Sequence, residues 1–538
     1  MTCRRLSSQI LFFFLFVILS TAAVSAQPRL IVLLSIDQMR AEHLVRFAPL
    51  YEQGFKRLIR DGVYFRNADL NYAGTSTGPG HATLATGVYP WKNGIVANNY
   101  IERLTGQKVY CVADSTAQKV DGEGGSMSPR NLLATGFGDW LKAASPRSKV
   151  ISLSYKDRAA ILMGGKGPDA AFWYDRKSGR MASSSFYMAT LPDWARRFDG
   201  GVWRSQHLPN LWNRLRADSV YTRFGPDDMA GEHPWQGKRT FPHAIEPGKE
   251  IGLLFSTPWG NDFLLDFARA AIRGEQLGKR GPVDLLCISL STTDNIGGDF
   301  GPDSHEMIDN LLRLDLALGG FLSDLDTTFG REGYMLALTG DHGVMPLPEY
   351  AVAYRREIAR RLDNSQDVER VLKQVDSTFR KELGITDRII KRGMINYAAL
   401  GATGTSPRLV EQRLREKLLT VDGVSDVYFR SELLDPSTAP RPYLDLYRHS
   451  YLEGRSPDYL IRDCEYCLSG TESTGTSHGS PYEYDTRVPL VFLGTGKPAQ
   501  SVERVVHPVD LVATIARLYG IPVPAGIDGV PLQEVVEK

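Results

Sequence analysis

Five short apolar runs organise this chain: residues 30–36, 150–153, 285–290, 335–339 and 488–493. Each is strand-sized, each ends in polar residues, and several are followed by segments with helical spacing of apolar positions. Continuous rather than alternating apolar runs predict strands buried on both faces, and their alternation with helices predicts an α/β fold with a mostly parallel central sheet flanked by helices. In such folds chemistry collects at the carboxyl ends of the strands. Asp37 follows the first run, Lys156 and Arg158 the second, Asp294 the third, and Asp341 with His342 the fourth. One Asp after a strand is often only a helix cap; four polar motifs arriving at one sheet edge form a candidate site.

The pattern changes in two places. Between 350 and 463 helical stretches at 368–383 and 408–419 precede a strand-like 424–429, which predicts an inserted α+β subdomain. A second insertion is expected at about 114–281, where Gly and aromatic residues are frequent and Trp173, Trp194, Trp203, Trp212 and Trp235 occur. Loops of that kind commonly shape a substrate entrance. The α/β core then comprises 27–349 and 464–538, and the chain shows no tandem repeat or low-complexity run.

At 538 residues, 42% hydrophobic and 23% charged, the chain can bury a large core. A formal net charge of +1 argues against a nucleic-acid partner, which calls for a basic surplus. Arg4 and Arg5, the apolar run 10–19 and the small residues Ala22, Ala23 and Ala26 form a signal-peptide pattern at 1–26. Export to the periplasm or beyond is expected, with no stable membrane anchor, because the run is shorter than the roughly 20 residues of a spanning helix.

Export permits disulfides. Cys464 and Cys467 form a C-x-x-C, and without a second pair nearby or a thioredoxin-like context, a local disulfide is expected rather than a redox pair or half a zinc site. Cys287, inside the third apolar run, reads as a core thiol.

The chemistry-bearing motifs are Ser35-Ile36-Asp37-Gln38, Thr77-Gly78-Pro79-Gly80-His81, Lys156-Asp157-Arg158, Asp294-Asn295-Ile296-Gly297-Gly298, Gly340-Asp341-His342-Gly343 and Gly475-Thr476-Ser477-His478-Gly479. Their order, together with the Lys-x-Arg, resembles the alkaline phosphatase superfamily, most closely the exported, threonine-nucleophile, phosphate-irrepressible alkaline phosphatases. The resemblance runs to the closing segments 507–515 and 526–529.

That resemblance implies a zinc-dependent hydrolase of small phosphate monoesters. One zinc would take Asp37, Asp341, His342 and the Thr77 oxygen, a donor set that suits the ion. Thr77 would be the nucleophile, phosphorylated during turnover. By itself the Gly- and Thr-rich stretch 74–80 is a turn composition, but a reactive oxygen just before a helix start can share that helix's amide donors with a phosphate. Asn98, Lys156 and Arg158 would bind the phosphoryl group, Lys as a point charge and Arg as a planar fork, which favours doubly charged monoesters over diesters. His81 reads as a structural hydrogen bonder.

The second zinc would take Asp294 and His478, and here the sequence departs from the family pattern. The resemblance implies Asp-x-x-x-His, but the fifth position is Gly298. Catalytic zinc usually has three protein ligands. Asp299 or His305 could replace the histidine, the second ion could be loosely held by a slower enzyme, or the chain could be a non-catalytic phosphate-ester binder. A phosphodiesterase of the same superfamily is a further alternative. A sulfatase is not, because Thr77-Gly78-Pro79-Gly80-His81 lacks both the convertible Cys or Ser and the arginine that formylglycine formation needs.

Overall fold

The computed structural model describes residues 27–121 and 126–537; the expected export segment, 1–26, lies outside them. Strand β1 (Leu30–Ile36) is buried along its whole length. Leu30, Val32, Leu34 and Ile36 enter one apolar cluster, while Ile31 and Leu33 enter another on the opposite face. This is the two-sided burial that a continuous apolar run requires.

Around it lies a ten-stranded sheet. In chain order the other strands are β2 (Val63–Asp69), β3 (Lys119–Val120), β4 (Val150–Ser154), β5 (Ala170–Asp175), β6 (Arg180–Ser184), β7 (Asp284–Leu290), β8 (Tyr334–Thr339), β9 (Arg487–Leu493) and β10 (Gln500–Val506). Their spatial order is β10-β2-β9-β8-β1-β7-β4-β5-β6-β3. β9 is antiparallel to both of its neighbours, and so is β6; the remaining strands share one direction. The sheet is therefore mixed, with a parallel centre.

Register places the site. Ser35 of β1 lies opposite Ser289 of β7 and Thr339 of β8, and Ser289 lies opposite Ser154 of β4. Four strand ends are level, so the residues just beyond them must meet. Helices α1 (Thr77–Thr86), α2 (Asp157–Met163), α3 (Trp259–Glu275), α4 (Thr292–Phe300) and α5 (His305–Phe329) return from that edge or cover the faces. Phe263 and Phe267 of α3 and Leu311 and Leu318 of α5 fill one layer; Leu84 of α1 joins Leu511 and Ile515 of the 510–519 helix in the other.

The stretch 114–281, expected as an insertion, instead supplies β3 to β6 of the sheet and helix α3 on its face. Its tryptophans are core residues: Trp203, Trp212 and Trp235 lie in the β1 cluster, and Trp173 packs between β5 and α2 residues. A Gly- and Trp-rich composition marks tight packing here rather than an entrance. Residues 350–463 hold α6 (Ser365–Leu383), α7 (Pro407–Leu418) and an antiparallel pair, Val424–Phe429 with Tyr459–Asp463, around a cluster of their own that includes Phe379, Leu414 and Val427. Cys464 and Cys467 are joined in a disulfide, and Cys287 is fully buried in β7. No described helix is long and apolar enough to cross a membrane.

Candidate active site

Thr77 is the first residue of α1 and is buried. Its Oγ1 faces two cations, Lys156 Nζ at 3.3 Å and Arg158 Nη2 at 3.2 Å. Those two residues flank the start of α2 directly after β4, so the level strand ends deliver them to Thr77. Asn98 accepts a hydrogen bond from the Gly78 amide through Oδ1 at 2.7 Å, which fixes it beside Thr77.

His81, one turn into α1, ties three elements together. Its Nδ1 donates to the Thr77 carbonyl at 2.9 Å and lies 3.2 Å from Asp341 Oδ2, while Nε2 pairs with Ser289 Oγ of β7 at 2.8 Å. Both ring nitrogens are thereby committed, and His81 acts as a structural bonder.

Asp37, Asp341 and His342 form a fully buried group whose donor atoms lie within 4.8 Å of one another. Asp341 Oδ1 accepts from the amides of Gln38 and His342, each at 3.1 Å. His342 Nδ1 donates to the Gly343 carbonyl at 2.9 Å, which turns Nε2 toward Asp37 Oδ1 at 3.3 Å. Both oxygens of Asp37, Asp341 Oδ2 and His342 Nε2 are buried without a well-aligned hydrogen-bond partner. Asp37 Oδ2 has Lys156 Nζ at 2.6 Å and Asp341 Oδ2 has His81 Nδ1 at 3.2 Å, and the acceptor capacity left over at these buried atoms is costly unless something binds it. Two carboxylates, an imidazole and the neighbouring hydroxyl are the donor set a zinc ion takes, and the residues fit it.

The charges of the group are strongly coupled. Burial and Asp341 push the Asp37 carboxyl up, but Lys156 and His342 outweigh them and hold it below its ordinary range. Burial opposes the charge on Lys156, but Asp294 and Asp37, each with an oxygen 2.6 Å from Nζ, keep the ammonium charged. Burial also pulls His342 down, and Asp341, Asp37 and Asp294 more than reverse this, raising it to about 9. A metal ion would take the place of that proton.

A second group consists of Asp294, His342 and His478. His478 Nδ1 donates to the Thr75 carbonyl at 2.8 Å, and Nε2 lies 3.6 Å from Asp294 Oδ1. Its ring stacks on His342 with centroids 3.7 Å apart. Burial and the His342 charge pull His478 down to about 4, so by protein charges alone it is neutral beside a charged partner.

Gly298 lies one helical turn after Asp294 on α4, and a Cβ added there would meet nothing nearer than the Thr476 carbonyl at 3.9 Å. Neither expected substitute joins the group. His305 spends its ring on the Gly225 carbonyl at 3.0 Å, Arg214 and Asp227. Asp299 is pushed up by burial, and its donor atoms are not among those converging on His478.

Comparison with known proteins agrees with this geometry. Residues 31–442 match the family model described as Type I phosphodiesterase / nucleotide pyrophosphatase. Alkaline phosphatase PhoV of Synechococcus elongatus is 34% identical over 524 residues, covering 95% of this chain and 94% of PhoV. Alkaline phosphatase PafA of Elizabethkingia meningoseptica is 32% identical over 535 residues, covering 95% of each. A crystal structure of PafA superposes with a TM-score of 0.87 at 31% identity, covering 95% of this chain and 99% of that one. The chain belongs to this family, within the alkaline phosphatase superfamily. It is accordingly a phosphatase-type enzyme, a hydrolase of phosphate esters. A Myroides odoratus protein named a calcium-transporting ATPase is also 35% identical over 544 residues, covering 98% of each chain.

Two contributors escaped the sequence reading. Gln38 adopts a left-handed backbone, φ 67°, and its Nε2 donates to Asp294 Oδ1 at 2.9 Å, joining the first strand end to α4. A non-glycine residue in that region is strained, and such strain collects at functional sites. Asp485 accepts from the Gly479 and Ser480 amides and from Ser480 Oγ through one oxygen, and so anchors the loop that carries His478. In the sequence Gln38 is only a member of the Ser35-Ile36-Asp37-Gln38 motif, without its tie to Asp294, and nothing in sequence spacing points to Asp485.

Proposed function

We propose that this chain is a zinc-dependent phosphate monoesterase that works through a phosphothreonine intermediate on Thr77. The observation that carries the proposal is the Thr77 hydroxyl, at a helix start, held between Lys156 Nζ and Arg158 Nη2 beside a buried donor set with unsatisfied atoms. Asp37, Asp341 and His342 with Thr77 would hold one zinc, and Asp294 with His478 a second, more weakly. Zinc at these positions supplies positive charge that acidifies hydroxyls and screens the attacking and leaving oxygens.

The protein groups then have distinct tasks. Lys156, Arg158 and Asn98 bind the non-bridging phosphoryl oxygens, and the α1 start adds its dipole. Thr77 Oγ1 gives up its proton to water and attacks phosphorus in line; the bond to the leaving oxygen breaks, and the departing alkoxide takes a proton back from water to leave as the alcohol. Water next attacks the phosphothreonine, the bond to Oγ1 breaks, inorganic phosphate leaves and the Thr77 hydroxyl is restored. His81 positions the Thr77 carbonyl and Asp341 throughout. Two cations against one phosphoryl group favour monoesters over diesters.

Gly298 favours slow turnover, since the second ion would have two protein ligands. We also assign the 1–26 pattern to export into the periplasm or beyond, consistent with the Cys464–Cys467 disulfide, and residues 350–463 to a subdomain beside the site.

The test is hydrolysis of phenyl phosphate and of a matched diester by zinc-loaded protein, with Thr77→Ala alongside. Monoester turnover should exceed diester turnover and fall about a thousandfold or more in the variant. Monoesterase activity no greater than that of Thr77→Ala would leave a phosphate-ester binder, and faster diester cleavage would make the chain a phosphodiesterase.

A further inference from the structure

A cleft of about 670 Å³ opens between the sheet edge and residues 350–463. Its wall includes Gly74, Asn99 and Gly479. These are chain neighbours of the turn that leads into Thr77, of Asn98 and of His478, so the cleft lies beside the candidate site. The position is fixed from both bodies: Ser450 Oγ accepts from the Ala73 and Gly74 amides at 2.9 and 3.0 Å, docking the inserted region against the nucleophile turn.

The lining combines two chemistries. Tyr100, Tyr447 and Met394 give it an apolar, partly aromatic floor, while Lys108, Arg392 and Arg455 supply three positive charges. Among the described residues no carboxylate lines it. Arg455 is held rigidly, donating to the Gly94 and Asn131 carbonyls and lying over the Tyr100 ring at 5.2 Å. Arg392 donates only to the Gly106 carbonyl, at 3.2 Å. None of the three has an ion-pair partner among the described residues, whereas most arginines of this chain do.

Three uncompensated cations around an apolar floor complement a flat apolar body that carries a negative charge. Resting on the monoesterase reading above, we infer that the cleft binds the leaving group, and that the preferred substrates are phosphate monoesters whose alcohol bears an aromatic or similarly flat apolar body and a second anionic group. The size matches a cleft built for one small ligand. Attraction between exposed charges steers and selects more than it tightens, so the preference weakens as salt rises.

The test compares aryl phosphates that differ only in charge: a 4-(carboxyalkyl)phenyl phosphate and its primary amide, made with short and long spacers. The reacting bond is the same in each pair. Zinc-loaded full-length protein should show a kcat/KM ratio of acid to amide well above one for at least one spacer, carried by KM. In Lys108→Gln/Arg392→Gln that ratio should fall about tenfold. A ratio near one at every spacer, or one indifferent to the double variant, overturns the inference.

Calorimetric binding of the released 4-(carboxyalkyl)phenol separates this outcome from failure of the monoesterase reading. Loss of that binding in the double variant supports the cleft assignment even if no ester is cleaved. Binding unchanged by the substitutions counts against it even if hydrolysis is fast.

Discussion

The two candidate metal pockets share His342 at their boundary but are built in opposite ways. Asp37 and Asp341 follow adjacent parallel strands whose register is set residue by residue, and every ligand of that pocket is buried. Asp294 sits on α4, and His478 comes from a loop near the other end of the chain, held by Thr75 and Asp485. Sheet register constrains the first pocket so tightly that one altered ligand would leave buried charge unpaired, a penalty of several kcal/mol. The second lies where a helix turn faces a partly exposed loop, and there a side chain can be lost without disturbing the core. A Cβ at Gly298 would meet only the Thr476 carbonyl, at 3.9 Å.

Lys156 joins the two pockets, with Nζ 2.6 Å from both Asp37 and Asp294, so its removal should disturb both at once. In Lys156→Ala, kcat/KM for an aryl phosphate is expected to fall by about 100-fold to 1000-fold, as when a preorganised donor is deleted. The same variant should be less stable by about 3 kcal/mol when zinc is stripped, because the buried Asp37 and the half-buried Asp294 lose their cation. Zinc should restore much of that loss. Urea unfolding with and without zinc checks this, and an equal loss in both conditions would show that Lys156 and the ions do not balance the same charge.

Gly298→His sharpens the comparison from the other side. The position is helical, one turn from Asp294, and uncrowded, so an imidazole can be added at little steric cost. Zinc bound after dialysis should rise toward two ions per chain, with turnover up about tenfold as the second site fills. Metal analysis is the primary measurement. Unchanged stoichiometry would mean that the second pocket is not short of a ligand.

The same asymmetry explains what could be read from the sequence. The sheet centre was legible because strands buried on both faces leave continuous apolar runs, and the polar residues that end them mark the site edge. Strand direction was not: β9 is as apolar as β1, and nothing in such a run shows that it lies antiparallel. The 114–281 stretch misled because glycines and tryptophans serve equally in loops and in tightly packed cores. The motif residues lie together at the sheet edge, Thr77 with Lys156 and Arg158, and Asp37 with Asp341 and His342; the roles the resemblance gives them remain proposals. Gln38 and Asp485 did not stand out, since one acts through backbone strain and the other through hydrogen bonds to a loop, neither of which has a spacing.

Asp485 offers the finest test, because its side chain holds the loop that carries His478. Burial pushes its carboxyl up from 3.8 to about 6, against the Ser480 and Gly479 donors that favour the charged form. A folded-state value above the unfolded one means that the protonated form is the one folding favours. The stability it contributes is therefore full below about pH 4 and lost as pH rises through about 6. Asn at this position keeps an acceptor for the two amides and the hydroxyl but never ionises. Between pH 4 and 7 the wild-type protein should lose up to about 2 kcal/mol relative to Asp485→Asn. Urea unfolding in parallel across that range measures the difference, in which other titrating groups cancel. A difference that does not change with pH would show that the His478 loop is tethered without the strain of a buried charge, and the second pocket would then be as well founded as the first.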